Sequence, residues 1–385
     1  MKENGKIIAI LEIASASVGG MLIRQNKNDK PQIISLVRVP VNFLFDINFD
    51  AFWRCTRASL KKVMKTLLEN YPSGPDACLC VFLSPWFLSQ TKIINIRREK
   101  DFKVTPEFFE NLMKTEEESF KGREVTQLRE GASFVEHEII KTELNGYYTK
   151  SPMGKTVKTI RLHIYMSLAT GSVKKKIEEE VLENFGDIFL SFRTFPFVAL
   201  QVLNSTIDNQ EGLLLIDIGG EITDISLIRK NCLEEMISFP RGKNFLLRRI
   251  ASEFKTFPQE ASSILQTYLK KHSIKDDAEK ISQIIEEVKR DWGNFFEKAI
   301  KNISEKGPLP QSLFLMGDEI IGGQFIKCAE EERFSQYTFL GKPFNIKRIL
   351  DEEFMRYFNF KLTRQSADQL DAFLMLEALF ANKFL

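Results

Sequence analysis

The sequence contains an internal repeat that aligns without gaps at an offset of 205 positions. Residues 8–26 and residues 213–231 each hold an apolar strand, a turn of small residues, a second strand and a polar turn, and five of the 19 aligned positions are identical. The first strand of each copy ends in an acid, Glu12 or Asp217. Two unrelated hairpins are the alternative interpretation, but matched strands and turns at so long a period are typical of a duplicated fold. The repeat therefore predicts two similar α/β halves that face each other across a cleft.

The turn in each copy has the residue types of a phosphate site. Small residues let backbone N–H groups approach an anion closely and point at one spot. An acid beside such a turn suits Mg²⁺, which binds through water next to a polyphosphate. The second turn runs from Asp217 through Gly219 and Gly220 to Thr223, and so combines an acid, two glycines and a hydroxyl group. The two turns together predict a polyphosphate site between the halves.

These motifs resemble those of the actin-like ATPase superfamily, and within it the bacterial FtsA/PilM group. Residues 12–17 resemble the first phosphate motif of the superfamily and residues 217–224 resemble the second. Residues 313–323 resemble the adenosine motif, in which a strand ends in glycines beneath the nucleotide. The hairpin at residues 145–155 is similar to the signature of the inserted 1C subdomain of FtsA and PilM, and its Asn-Gly pair favours a tight turn.

The resemblance covers nearly the whole chain and implies an actin-like ATPase fold. This is an α/β fold with two duplicated ribonuclease-H-like halves around a nucleotide cleft, here with an inserted 1C subdomain. The implied parts are the first half (1–85), the inserted subdomain (86–170), the remainder of the first half with a connector (171–210), the start of the second half (211–240), a helical lid subdomain (241–307) and the remainder of the second half (308–385). The sequence from Asn244 to Ser304 is predicted to be helical, and from residue 281 to residue 303 apolar residues recur every three or four positions.

The resemblance also implies a bound nucleotide, ATP or ADP, with Mg²⁺. Glu12 and Asp217 would hold the metal through water. The residues implied in nucleotide binding are Glu12, Ala14, Ser15, Ser17, Asp217, Gly219, Gly220, Thr223, Gly242, Gly317 and Asp318. Several residues depart from the family pattern: Glu12 and Ala14 stand where Asp and Gly are usual, and Ala14 resists a positive φ. Ser262 and Leu265 replace charged residues of the lid, so we expect weak nucleotide binding and at most slow hydrolysis.

Two scaffold functions are compatible with the resemblance. The first is an FtsA-like protein of bacterial cell division, which would link a division filament, through an FtsZ-like tail, to membrane partners and would self-associate. The alternative is a PilM-like platform of type IV pilus assembly, which would bind a peptide of an inner-membrane protein. The last predicted helix, residues 365–385, has one lysine, Lys383, near Asp371 and Glu377, unlike a basic membrane-binding helix. That composition favours the pilus alternative, whereas the pair at residues 223–224 favours division.

Composition narrows the remaining classes of function. The 54 Lys and Arg residues barely exceed the 52 Asp and Glu residues, so no basic surplus favours nucleic-acid binding. Five scattered cysteines do not suit a disulfide framework, and three separated histidines do not suit a metal centre. No apolar stretch approaches the roughly 20 residues that a transmembrane helix needs. We therefore expect a cytoplasmic protein that reaches the inner face of the cell membrane only through partners. A sugar kinase or exopolyphosphatase is less favoured, because no second substrate pocket is marked.

Overall fold

The computed structural model of the chain describes residues 5–26, 29–124, 131–206, 211–270, 277–317, 319–348 and 372–385. None of the helices within these ranges combines the length and the apolar character that crossing a bilayer requires.

Strands and helices alternate along the chain. The strands are β1 (Ile7–Ile13), β2 (Ser17–Arg24), β3 (Gln32–Pro40), β4 (Ala77–Phe82), β5 (Phe87–Lys103), β6 (Ala132–Leu144), β7 (Tyr147–Tyr148), β8 (Thr156–Thr170), β9 (Phe189–Thr194), β10 (Leu213–Ile218), β11 (Thr223–Arg229), β12 (Cys232–Phe239), β13 (Ser312–Gly317) and β14 (Asn345–Arg348). The helices are α1 (Phe49–Asn70), α2 (Pro106–Glu124), α3 (Gly171–Phe185), α4 (Phe195–Thr206), α5 (Lys243–Glu253), α6 (Pro258–Leu269), α7 (Ala278–Ser304), α8 (Glu319–Ala329) and α9 (Ala372–Phe384).

Two five-stranded sheets have the same strand order. One sheet runs β3-β2-β1-β4-β9 and the other runs β12-β11-β10-β13-β14. In each sheet the first three strands are antiparallel, as short turns allow, and the remaining strands are parallel, as crossover connections require. The strands β1–β3 thus correspond to β10–β12, as the repeat predicts.

The central core lies between the two sheets. Every side chain of β1 is buried, and alternate side chains face opposite sides of the sheet. Ile8 and Ile10 pack in a core that also contains Leu215 of β10 and side chains of α4 and α9. Ala9 and Leu11 face the opposite side, towards α1 and α3. Burial on both faces explains why β1 has a continuous apolar sequence rather than an alternating one.

Helices α5 to α8 cover the outer face of the second sheet. The predicted helical pattern from Asn244 to Ser304 is divided into α5, α6 and α7. Lys255 has a φ of 49° between the first two, and Pro258 starts α6, where a proline costs no hydrogen bond. Along α7 the rings of Trp292 and Phe296 are both buried and stack on each other, with their centroids 5.0 Å apart. The ring of the neighbouring Phe295 is only half-buried.

The third sheet projects from the first half and has the order β5-β8-β6-β7. It is antiparallel, and together with α2 it encloses a core of its own, which includes Phe109 and Phe120 of the helix. Strand β5 is an edge strand of this sheet, and β12 is an edge strand of the second-half sheet. The two edges meet at Ser89 and Met236, whose Oγ and Sδ atoms are 3.4 Å apart.

Candidate functional site

The two predicted phosphate turns meet each other directly. Ser15 lies in the turn between β1 and β2, and Gly220 lies in the turn between β10 and β11. The Oγ atom of Ser15 accepts hydrogen bonds from the backbone N–H groups of Gly220, at 2.9 Å, and Glu221, at 3.1 Å. Ser15 is only 2% exposed. Because Ser15 and Gly220 are equivalent positions of the repeat, the contact joins matching turns of the two halves.

Glycines make this close approach possible. A Cβ atom on Gly220 would lie 2.9 Å from Ser15 Oγ and 2.9 Å from the backbone nitrogen of Ala16. Gly242 packs against the backbone of the same turn. A Cβ atom on Gly242 would lie 2.4 Å from the carbonyl oxygen of Gly220. The backbone N–H of Asn244 donates to that oxygen at 2.8 Å. The second turn is thus hydrogen-bonded to the start of α5 and packs against the first turn.

Glu12, predicted as a metal ligand, has an arginine as its partner. Its two carboxylate oxygens accept hydrogen bonds from the Nη1 and Nη2 atoms of Arg38, at 2.8 and 2.7 Å. The Nη1 atom also donates to the hydroxyl of Ser17 at 2.8 Å. Glu12 is 1% exposed, so this two-pronged ion pair supplies the positive charge that a buried carboxylate needs. In this arrangement Arg38 occupies both oxygens of Glu12 and one acceptor site of the Ser17 hydroxyl.

Asp217, the second predicted metal ligand, is buried beside another acid. Its Oδ1 atom has no hydrogen-bond partner among the described residues. Burial raises the pKa of Asp217 well above its usual range, and the charges of Asp224 and Glu12 raise it further. Burial also raises the pKa of Asp224 to about 6, although hydrogen bonds from Ser238 and Ser84 lower it. A cavity of about 10 Å³ beside the two acids has room for one water molecule.

The hydroxyl of Thr223 does not face the other half. It donates to the carbonyl oxygen of Arg241 at 2.7 Å and accepts from Nε1 of Trp292 in α7 at 3.2 Å.

Gly317 ends β13 next to Ile218, with a φ of 127° that favours glycine. A Cβ atom on Gly317 would lie 2.9 Å from the carbonyl oxygen of Ile218.

Ala14 and Gly219 each close one of the two turns through the backbone. The backbone N–H of Ala14 donates to the carbonyl oxygen of Ser17 at 3.2 Å, and Ala14 closes this tight turn without a positive φ. The backbone N–H of Gly219 donates to the carbonyl oxygen of Ile222 at 2.9 Å and closes the second turn in the same way. Asp318 lies outside the described residues.

Arg248 and Glu221 are two further charged residues of the site that, like Arg38, the sequence did not predict. Arg248 of α5 donates to both carboxylate oxygens of Glu221, at 2.7 Å each, and its Nε donates to the carbonyl oxygen of Leu44 at 3.1 Å. Arg248 thereby joins the second turn to the first half. The repeat gave no signal for this pair, because Ala16 is the equivalent of Glu221.

The described part of the site does not fit a magnesium nucleotide in this arrangement. The N–H groups that would bind a phosphate oxygen already donate to Ser15, and Glu12 is paired with Arg38. Within the described ranges, no three His, Cys, Asp or Glu side chains form a group suited to a metal ion. The nucleotide and magnesium assignments stay predictions of the sequence, and no step of the proposed function depends on them.

A cleft of about 300 Å³ lies where the third sheet meets the second half, and it adjoins the cavity beside Asp217 and Asp224, with which it shares Ser84 and Phe87. It is lined by residues from the connection to β5, from β5 itself, from α2 and from β12, namely Ser84, Phe87, Leu88, Ser89, Gln90, Phe120, Met236 and Ser238. Its volume is at the lower end of the range for ligand pockets, and its lining mixes apolar side chains with hydroxyl and amide groups.

Comparisons with known proteins identify the fold. No protein-family model and no curated protein sequence matches the chain. Among solved structures, the PilM-PilN type IV pilus biogenesis complex is similar with a TM-score of 0.67 and 14% identity, over 97% of this chain and 98% of that chain. The ethanolamine utilization protein EutJ from Carboxydothermus hydrogenoformans has a TM-score of 0.47 and 11% identity, over 100% and 91% of the two chains. MreB 5 of Spiroplasma citri, bound to AMPPNP, has a TM-score of 0.46 and 11% identity, over 97% and 96%. The similarity to the PilM-PilN complex over nearly the full length of both chains confirms the predicted actin-like ATPase fold.

Proposed function

We propose that this protein is a scaffold that captures a short segment of an inner-membrane protein during type IV pilus assembly. The observation that carries the proposal is the cleft of about 300 Å³ between β5 and β12, two sheet edges contributed by different parts of the fold. The full-length similarity to a PilM-PilN complex supports the same choice. The protein would act at the inner face of the cell membrane and would be held there by its partner.

The two edges suit an extended peptide. Among the described strands, β5 pairs only with β8 and β12 pairs only with β11. An edge strand has unpaired N–H and C=O groups, to which an extended segment can add as a further strand. Met236 and Phe87 offer apolar contact inside the cleft, and Gln90 offers hydrogen bonds. Backbone pairing would supply affinity, and the side chains of the cleft would select the sequence of the segment.

The division hypothesis has less support. An FtsA-like role would require the scaffold to bind an FtsZ-like tail, and the comparisons contain nothing specific to that partnership. Self-association of the chain stays a prediction of the sequence. We therefore prefer the pilus function, which accounts for a cleft that no nucleotide motif lines.

A peptide titration tests the proposal. A fluorescent peptide with the N-terminal cytoplasmic sequence of the inner-membrane pilus protein from the same genome should bind, while an FtsZ C-terminal tail peptide should not. Replacing Met236 by lysine should weaken binding at least about tenfold, a change of about 1.4 kcal/mol. Met153→Lys is the matched control, because Met153 is exposed on the hairpin far along the third sheet. Binding of the FtsZ peptide alone, or equal affinity of the Met236→Lys and wild-type proteins, would refute the assignment.

A further inference from the structure

The contact between the two turns has a consequence for the nucleotide that actin-like folds are built to hold. We infer that Ser15 takes the place of a phosphate group and Arg38 the place of a metal ion, so that the two halves stay closed without nucleotide. This inference concerns the turns and does not depend on the peptide cleft.

The hydroxyl of Ser15 satisfies the donors that a phosphate oxygen would otherwise satisfy. A hydroxyl oxygen has two acceptor lone pairs, and the N–H groups of Gly220 and Glu221 supply two donors at 2.9 and 3.1 Å. A phosphate oxygen cannot occupy the same position while Ser15 does. Separating the turns would break both hydrogen bonds and leave the two N–H groups to water.

The charge that a metal would supply comes from the chain as well. The guanidinium of Arg38 reaches both oxygens of Glu12, at 2.8 and 2.7 Å, and is itself 29% exposed. A divalent ion at Glu12 would have to displace this pair, because the positive charges would repel each other at such short distances. The chain thus supplies both the acceptor that a phosphate oxygen would provide and the positive charge that a magnesium ion would provide.

Further contacts between the halves add to the bonds of Ser15. Arg248 of the second half bonds the carbonyl oxygen of Leu44 in the first half at 3.1 Å, and its guanidinium lies 4.8 Å from the ring centre of Phe43. Side chains from both sheets, among them Ile10 and Leu215, share one apolar core with α4 and α9. The closed arrangement therefore has polar and apolar support in which no ligand participates.

Two measurements on the full chain test the inference. The melting temperature of the wild-type protein should not rise when ATP or ADP is added with Mg²⁺, because a ligand that binds only the native state raises it. Hydrogen–deuterium exchange of peptides that cover Gly220 and Glu221 should be slow without nucleotide, and adding Mg-ATP should leave it unchanged. A rise in melting temperature, or slower exchange at these two amides with Mg-ATP, would overturn the inference without the need for any variant.

A pair of variants tests whether the hydroxyl of Ser15 is what slows exchange at Gly220 and Glu221. Ser15→Ala removes the acceptor and should speed exchange at the two amides at least tenfold. Ser17→Ala is the control, because Ser17 lies in the same turn but its hydroxyl bonds Arg38 within the first half. Unchanged exchange in Ser15→Ala, or equal effects of both variants, would contradict the role of Ser15. The peptide titration is a separate measurement, so the inference and the proposed function can fail independently.

Discussion

Replacing Glu136 by glutamine should remove a loss of stability that the wild-type protein suffers as the pH rises. Glu136 lies on β6, is 3% exposed, and connects the third sheet to the end of β9. Its Oε1 atom accepts from the backbone N–H of Thr194 at 2.6 Å, and Oε2 accepts from the Thr194 hydroxyl at 3.0 Å. The hydroxyl of Ser167 also donates to Oε2. A titrating carboxyl group is therefore buried at a junction between two parts of the fold.

The size of the effect follows from the pKa of this carboxyl group. Burial raises the pKa of Glu136 from 4.5 to about 7, although the bonds from Ser167 and Thr194 and the charge of Arg193 lower it. The unfolded chain loses the proton near pH 4.5 and the native protein near pH 7, so the native state binds more protons in between. Stability must then fall as the pH rises through this window and level off above it. At about 1.4 kcal/mol per pH unit, the loss is about 3 kcal/mol.

Denaturant unfolding at a series of pH values measures this loss. Glutamine has the size of the protonated acid and no charge, and the hydroxyl of Ser167 can rotate to accept its N–H. Glu136→Gln should match the wild type near pH 4.5 and exceed its free energy of unfolding by about 3 kcal/mol at pH 7.5. Asp217 and Asp224 also have raised pKa values, so the difference between the two proteins is the quantity to follow. Glu138→Gln, at an exposed position of the same strand, serves as the control. Parallel pH profiles for Glu136→Gln and the wild type would refute the reasoning.

Two further substitutions test the packing of the turns. Arg38→Met should lower the free energy of unfolding by about 3–5 kcal/mol, because it leaves Glu12 buried without its charged partner; a loss below 1 kcal/mol in urea titrations would show that Glu12 is neutral or solvated. Gly242→Ala should destabilise the protein by about 1–3 kcal/mol, because the new Cβ would meet the carbonyl oxygen of Gly220. Gly122→Ala, at a helical position with open space around it, should instead stabilise by up to about 1 kcal/mol, and calorimetry that ranks the two glycine variants alike would contradict the packing argument.

The fold could be predicted from the sequence because the repeat carries long-range information. An offset of 205 positions without gaps requires the strands that begin near Ile8 and near Leu213 to form equivalent hairpins, and the two sheets do have the same order. Such a signal does not depend on local propensity. The apolar spacing continues across the break between α5 and α6, so the sequence marks the start of the new helix only by Pro258.

Less of the site could be predicted, since residue types alone do not show direction. Thr223 and Asp224 are neighbours on β11, so their side chains face opposite sides of the sheet. Asp224 lies across the ladder from Asp217, and Thr223 faces α7. The register of the pairing between β10 and β11 decides which of these two side chains faces Asp217. The role of Arg38 likewise depends on its position opposite Gly19, a pairing between strands that the sequence does not specify.

The difference between the two turns explains why they can touch. A fold with two equivalent halves brings equivalent turns together near the axis that relates them, and what lies between them depends on the residues at matching positions. Glycine in both turns would leave room that a ligand could fill, whereas a side chain in both would clash, because even a Cβ atom on Gly220 would lie 2.9 Å from Ser15 Oγ. With serine in one turn and glycine in the other, the hydroxyl of the first reaches the N–H groups of the second. This asymmetry at one pair of equivalent positions is sufficient to replace a bridging ligand with a bond inside the chain.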